Sequence, residues 1–222
     1  MIVTNINTYI SENTRDLALV TWEPEDILGY INEGIEDIIK RAPQANSRKE
    51  LVICEPGIDQ ALGGDTFKIV NVVSNGENVV VNGDNVVTSG AGDDAVEIIN
   101  VISNETGEII HQTDVIQKDA YVPNWKQATP AIIVKEWMKR SEPTMFMVFP
   151  PLADVRNLLV EYSFFPTPVT VAEDTIVLQN QYLQALRYFC MYKVYSRDSE
   201  STPTNQTSEL FFQKYEKEFI TE

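Results

Sequence analysis

One histidine, two cysteines and a run of glycines and aspartates are the residues of this chain with the most obvious chemical potential. His111 is the sole imidazole among 222 residues, so any Ser-His-Asp or Cys-His relay would have to use it. It sits in what reads as a hairpin arm, followed by Gln112, Thr113 and Asp114, a setting for a surface residue rather than a general base. The hexapeptide GAGDDA, residues 90–95, has the spacing of a dinucleotide-binding loop. That loop works by turning backbone N–H groups and a helix N-terminus toward a pyrophosphate. Asp93 and Asp94 would repel the phosphates, and the AVEIINVI that follows alternates like a strand. The longer stretch NGDNVVTSGAGDDAVE is rich in oxygen ligands but does not fit the calcium-loop pattern with its Glu at the twelfth position. A solvated turn region is expected there.

The remaining candidates are weaker. Cys54 and Cys190 are too few and too far apart for a disulfide framework or a zinc site. Cys190 falls on an apolar helix, where it reads as a small buried hydrophobe. With 33 Asp and Glu, some pair always comes close, so paired carboxylates carry no signal for glycoside hydrolysis. The Asn104 and Asn205 glycosylation patterns mean nothing without a secretory signal, and the opening MIVTNINTYISENTR shows no basic run followed by an apolar one. No catalytic, cofactor-binding or metal-binding residue is therefore expected, and no cofactor.

Charge narrows the partners. The net charge is −16, from 17 basic against 33 acidic residues, and the densest basic spots are as short as Lys139-Arg140. Nucleic-acid binding needs clustered cations to displace counterions from phosphates. Tight binding to DNA or to an anionic membrane is not expected on this ground; an acidic wall past which DNA slides stays open. No segment has the roughly 20 apolar residues of a membrane span.

The elements that must carry any function are mostly apolar stripes. Residues 22–43 form a clear helix, with Ile27, Leu28, Ile31, Ile35, Ile38 and Ile39 at steps of three and four. Pro24 opens it, Pro43 stops it, and acidic then basic residues match the helix dipole. A short helix is possible around residues 13–20. Residues 51–170 read as mostly β: Val-rich hairpins around Asn75-Gly76 and Asn82-Gly83, a further hairpin turning at residues 104–107, and strands in AIIVKEWM, TMFMVFPP and NLLVEYSFFPTPV. Residues 179–197 return to helix, apolar over most of its girth, and a loop-like RDSESTPTNQT separates it from a last helix starting at Thr207 or Ser208. The expected fold is α+β, with a helical bundle from residues 1–50 and 175–222 and an inserted antiparallel β-rich lobe at 51–174. Aromatic residues at helical spacing are the candidate interface: Tyr188, Tyr192, Tyr195, Phe211, Phe212, Tyr215 and Phe219.

The order of these features resembles the head-to-tail adaptor proteins of short-tailed bacteriophages, the group that includes tail tubular protein A. The likeness runs from Arg15-Asp16-Leu17 and the W-x4-IL-x2-IN-x2-I-x2-II-x-R-x-P of Trp22 to Pro43, through GIDQAL (57–62) and the Pro123-x-Trp125 of KDAYVPNW. It continues in FMVFPP (146–151), VEYSFFPTP (160–168), Tyr182, Ala185, Leu186, the Tyr195, Ser199, Glu200 region, Asn205 and the Phe-rich end. Residues 74–100 exceed the usual β region. The resemblance implies a non-enzymatic virion protein forming a dodecameric ring between portal and tail nozzle, with DNA passing through without specific binding. It places the protein at the head–tail junction, and in the host cytoplasm during assembly. Two rivals make different demands. A β-sandwich module binding carbohydrate or serving as a tail accessory would offer Trp125 or Trp137 to a sugar. A hydrolase would need a pocket carboxylate with a raised pKa.

Overall fold

The computed structural model describes residues 2–15, 23–62, 95–197 and 202–219. The two Val-rich hairpins and most of the glycine- and aspartate-rich run lie outside the described residues. The fold is α+β with helices toward both ends, as the apolar periodicities predict. The chain divides into two compact units, Met1–Asn46 with Phe165–Glu222, and Ser47–Phe164.

The first unit is helical. Helix α1 spans Val3–Thr14 and buries Val3, Ile6 and Ile10, then ends at Arg15 in the left-handed region, φ 60°. Of the helix expected around residues 13–20, residues 16–20 lie outside the described residues; α1 itself was not expected, because the Thr and Asn residues between its members obscured the i, i+3, i+7 stripe. Helix α2, Pro24–Arg41, begins and ends where its proline, acidic and basic residues place it and buries the five expected isoleucines. Leu28 sits at the edge of that stripe, half-exposed. The segment between the β-rich unit and the C-terminal helices is pinned to this bundle. The Asn32 amide donates to Val169 O (3.0 Å) and accepts from Val169 N (2.9 Å), standing in for a strand partner. Thr4 N and Val3 N donate to Ala172 O and Asp174 O.

The second unit opens with β1 (Ser47–Cys54) and β2 (Gly57–Ala61), then β3 (Ala95–Asn104), β4 (His111–Gln112), helix α3 (Val115–Tyr121), β5 (Glu136–Lys139), β6 (Met145–Leu152) and β7 (Arg156–Phe164). One sheet has order β1-β7-β3, all antiparallel; the other has order β2-β6-β5-β4, with β4 parallel to β5. Both sheets feed one core. Val52, Ile98, Val101, Leu158, Val160 and Tyr162 come from the first, and Trp137, Phe146, Val148 and Leu152 from the second. Burying each such side chain contributes about 1.5–3 kcal/mol. The chain enters on β1 and leaves on β7, with Ser47 opposite Ser163, so both connections emerge side by side.

Two sequence expectations change here. The turn at Asn104–Gly107 forms, but its return arm is one bridge, Ser103 to Ile109, before the chain crosses to the other sheet as β4. The Asn104 side chain explains the diversion: it donates to Val134 O (2.8 Å) and accepts from Val134 N (2.9 Å), so a side chain fills part of the ladder. AIIVKEWM yields strand only at Glu136–Lys139. Pro150 and Pro151 lie inside β6, an inner strand, where the β5 pairing has already stopped at Phe149 and the β2 register shifts between Gly57 and Asp59, so no ladder bond is lost.

Candidate functional site

Six of the seven candidate aromatics lie on the last two helices, α4 (Leu183–Arg197) and α5 (Thr202–Lys217), and Phe219 in the turn just past α5. Helix α5 starts five residues earlier than its composition suggests. Pro203 falls in the first turn, where its missing N–H costs nothing, and the expected loop is mostly helix. Ser208, expected as a cap, is interior and 6% exposed. Its hydroxyl lies 2.6 Å from that of Ser196 and donates to Tyr192 O, so small residues let the two helices approach closely.

The aromatics then interleave in two connected sets. Tyr195 stacks on Phe211 at 5.8 Å and 8°, Tyr188 tilts against the same ring at 6.3 Å, and the Lys214 ammonium lies 4.9 Å from the Phe211 centroid. Tyr192 meets Phe212 at 5.0 Å, Phe212 meets Tyr215, and Tyr215 packs edge-on to Phe189 (5.3 Å) and Phe219 (5.1 Å). Each pair adds about 0.5–1.5 kcal/mol beyond area burial. Six of the seven stay half-exposed; Tyr215 has no exposed surface, so it is core of its own chain and offers nothing to a partner.

Beside this hairpin α2, α4 and α5 enclose a groove of about 370 Å³, floored by Phe189, Tyr192 and Phe212. Its rim is charged but paired: Lys193 with Glu33 (2.6 Å), Lys40 with Glu36 (3.4 Å) and Arg41 with Asp37 (2.8 Å). Such exposed pairs contribute about 0–1 kcal/mol each. Asp37 also accepts from the Tyr215 hydroxyl, and the Arg41 guanidinium lies over the Tyr215 and Phe219 rings.

Burial first, and the bond to Asp37 second, push the Tyr215 phenol well above its usual range. Burial and the bond to Glu50 do the same for Tyr162 in the β-rich unit. A raised folded pKa means these phenols stabilise the fold below the unfolded value of about 10, and that this stability is lost as pH climbs from there toward the folded values. Thermal melts at rising pH should show a drop beginning near pH 10 that Tyr162→Phe and Tyr215→Phe each reduce.

The chemistry-bearing candidates are not brought together. His111 is exposed on β4. Cys54 is buried and its thiol pushed up to about 12, and burial raises Cys190 likewise, so both are inert. Trp125 (2% exposed) and Trp137 (0%) are both core, which removes the stacking platform a sugar-binding module would need. Glu142 and Asp174 have lowered pKa values, Glu142 chiefly through its own backbone N–H and Asp174 chiefly through that of Thr170, the wrong direction for a general acid. Among the described residues no cluster of His, Cys, Asp or Glu could hold a metal, and no helix is long and apolar enough to cross a membrane.

The sequence reading missed α3, because residues 51–170 looked like strand throughout. The signal was there: Asp114 precedes it as a helix cap, accepting from Ile116 N (2.7 Å). Its burial is mixed, with Gln117 and Asp119 exposed as expected of polar residues but three others reversed. Lys118 is buried, with both Glu136 oxygens at 2.8 Å and the Phe149 ring at 3.7 Å, while Ile116 (79%) and Tyr121 (84%) are exposed.

No curated protein matches the chain. The model for the SU10 adaptor protein, however, matches residues 2–221, nearly the whole chain and both units. On that match, the chain belongs to the SU10 adaptor protein family, a family of phage head-to-tail adaptors.

Proposed function

We propose that the protein is a ring-forming connector of the tail tubular protein A kind, set at the head–tail junction of a virion between portal and tail nozzle. Copies close head to tail into a ring, a dodecamer by the resemblance to that group. The discontinuous helical bundle grips its neighbours in the ring. The observation that carries this reading is the family match over residues 2–221, which implies a structural, non-enzymatic virion component. The half-exposed aromatics of α4 and α5 support it, since Tyr and Phe are enriched where proteins meet. So does the charge of −16, which suits a channel that DNA must traverse without sticking.

Phe212→Asp tests the role of the last helix. Phe212 lies half-exposed over Tyr192, so the change should cost about 1–3 kcal/mol and leave a folded chain. That chain, native by circular dichroism, should fail to enter tailed particles. Incorporation at the normal level would remove the docking role. The passage of DNA has its own check. The purified protein should leave the mobility of duplex DNA unchanged at physiological salt, and retention of the duplex would contradict a repelling wall.

A further inference from the structure

We infer that α1 and the strap of residues 169–175 open and close together as one latch, while α2 and α4, against which α1 lies, stay folded. The Asp174 carboxylate fastens it.

Helix α1 is poorly equipped to stand alone. It has twelve residues, VTNINTYISENT, and only Glu12 among them is a strong helix former. Isolated helices of about 12–15 residues are marginal even with better sequences. Ile2 occupies the cap position and has no side-chain oxygen to offer the first turn. At the other end Arg15 takes the left-handed region, which disfavours side chains. The helix is held by the buried side chains of Val3, Ile6 and Ile10 and by a cap brought from far along the chain.

The strap is that cap. Val3 N donates to Asp174 O and Thr4 N to Ala172 O, both at 3.0 Å, and the Thr4 hydroxyl donates to Ala172 O at 2.8 Å. Ile2 bridges to Thr175. These carbonyls meet the helix because the strap turns back on itself, and the Asp174 carboxylate closes that turn. It accepts from Thr170 N (2.6 Å), Val171 N (3.0 Å) and the Thr170 hydroxyl (3.3 Å). Among the described residues, the backbone from Thr170 to Thr175 bonds only to Ile2, to α1 and within this turn. An open turn therefore leaves the first N–H groups of α1 without acceptors, and a detached α1 leaves the strap with its turn alone. Two marginal elements that satisfy each other form one cooperative unit, less stable than the core beside it.

Opening bares one side of α4. The Tyr9 ring is half-buried there, 5.4 Å from the Arg187 guanidinium, with Gln184 and Tyr188 beside its phenol. Tyr188 is one of the candidate contact aromatics. The latch thus sets how much of that side a neighbouring copy meets, a consequence that rests on the connector reading above; the joint opening does not.

Hydrogen exchange of the full chain, followed residue by residue by NMR, tests the coupling from both ends. Asp174→Ala removes an exposed side chain, so the fold is kept. It should speed exchange of the amides from Asn7 to Asn13 about tenfold, the effect of losing one cap. None of those amides bonds to the strap. Ile6→Ala should in turn speed exchange at Thr170 and Val171 by a similar factor, since coupling between two sites is reciprocal. In both variants the amides of α2 and α4 should keep their parental rates. Amides of α1 as slow in the parent as those of α2 and α4 would overturn the latch. So would an Asp174→Ala effect confined to residues 170–174, unchanged Thr170 and Val171 in Ile6→Ala, or equal acceleration throughout the helical unit. No assembled particle is needed, so failure of the connector reading would leave these exchange rates as they are.

Discussion

Glu136→Ala should destabilise the β-rich unit by about 3 kcal/mol or more. Lys118 is 6% exposed, and both oxygens of Glu136 hold its ammonium at 2.8 Å above the face of Phe149. Removing the carboxylate leaves a cation buried with only a ring for company, the costly way to break such a pair. The opposite deletion is mild. Lys118→Met keeps the stem packing, and Glu136, a quarter exposed, retains water and the Thr113 hydroxyl, so a loss of about 1 kcal/mol or less is expected. Urea unfolding followed by tryptophan fluorescence in a Trp22→Phe background reads this unit, since the other two tryptophans, Trp125 and Trp137, lie in its interior. Equal losses for the two variants would show that the pair is hydrated rather than buried.

Gly34→Val should cost about 3 kcal/mol or more and strike the helical bundle. A Cβ at residue 34 would stand 2.7 Å from Leu186 Cδ1 and 2.8 Å from Phe189 Cδ1, so α2 and α4 touch there through the absence of a side chain. Gly34→Ala separates the two opposing terms. Helix propensity favours it by about 1 kcal/mol, while the overpacking opposes it by about 1–3 kcal/mol. The net expected change is a small loss, because a Leu methyl can yield but the Phe189 ring is held by Tyr192 and Tyr215. Thermal melts of the three proteins check the order Gly, Ala, Val. An alanine variant more stable than the parent would mean that the α2–α4 seam is looser than these distances.

What could be read in the sequence divides by the range of the interaction that decides it. Helix α2 was legible because its stripe, its proline and its terminal charges all agree locally. Strands β6 and β7 were legible as apolar runs. Helix α1 was not, since its three core residues are separated by polar β-branched and amide residues, and only the segment around residues 169–175 that packs and bonds to the bundle shows which side is buried. The start of α5 was hidden because Ser, Thr, Pro and Asn serve turns and first helical turns equally well. The packing of the candidate aromatics was half legible. Aromatic spacing showed that the rings lie at helical intervals, but which of them its own chain buries depends on the facing helix, and only the packing of α4 on α5 shows Tyr215 to be core. Helix α3 was the larger omission, for its pattern makes sense only once Lys118 is known to be buried.

The central claim is that this chain joins a head to a tail, and composition of the assembly tests it most directly. A tagged copy would be recovered from tailed particles and the proteins retrieved with it quantified by mass spectrometry. The expected result is a large portal-type protein and a tail protein, both in near-equal copy number with this chain. A chain that is folded by circular dichroism yet retrieves neither would contradict the connector reading outright.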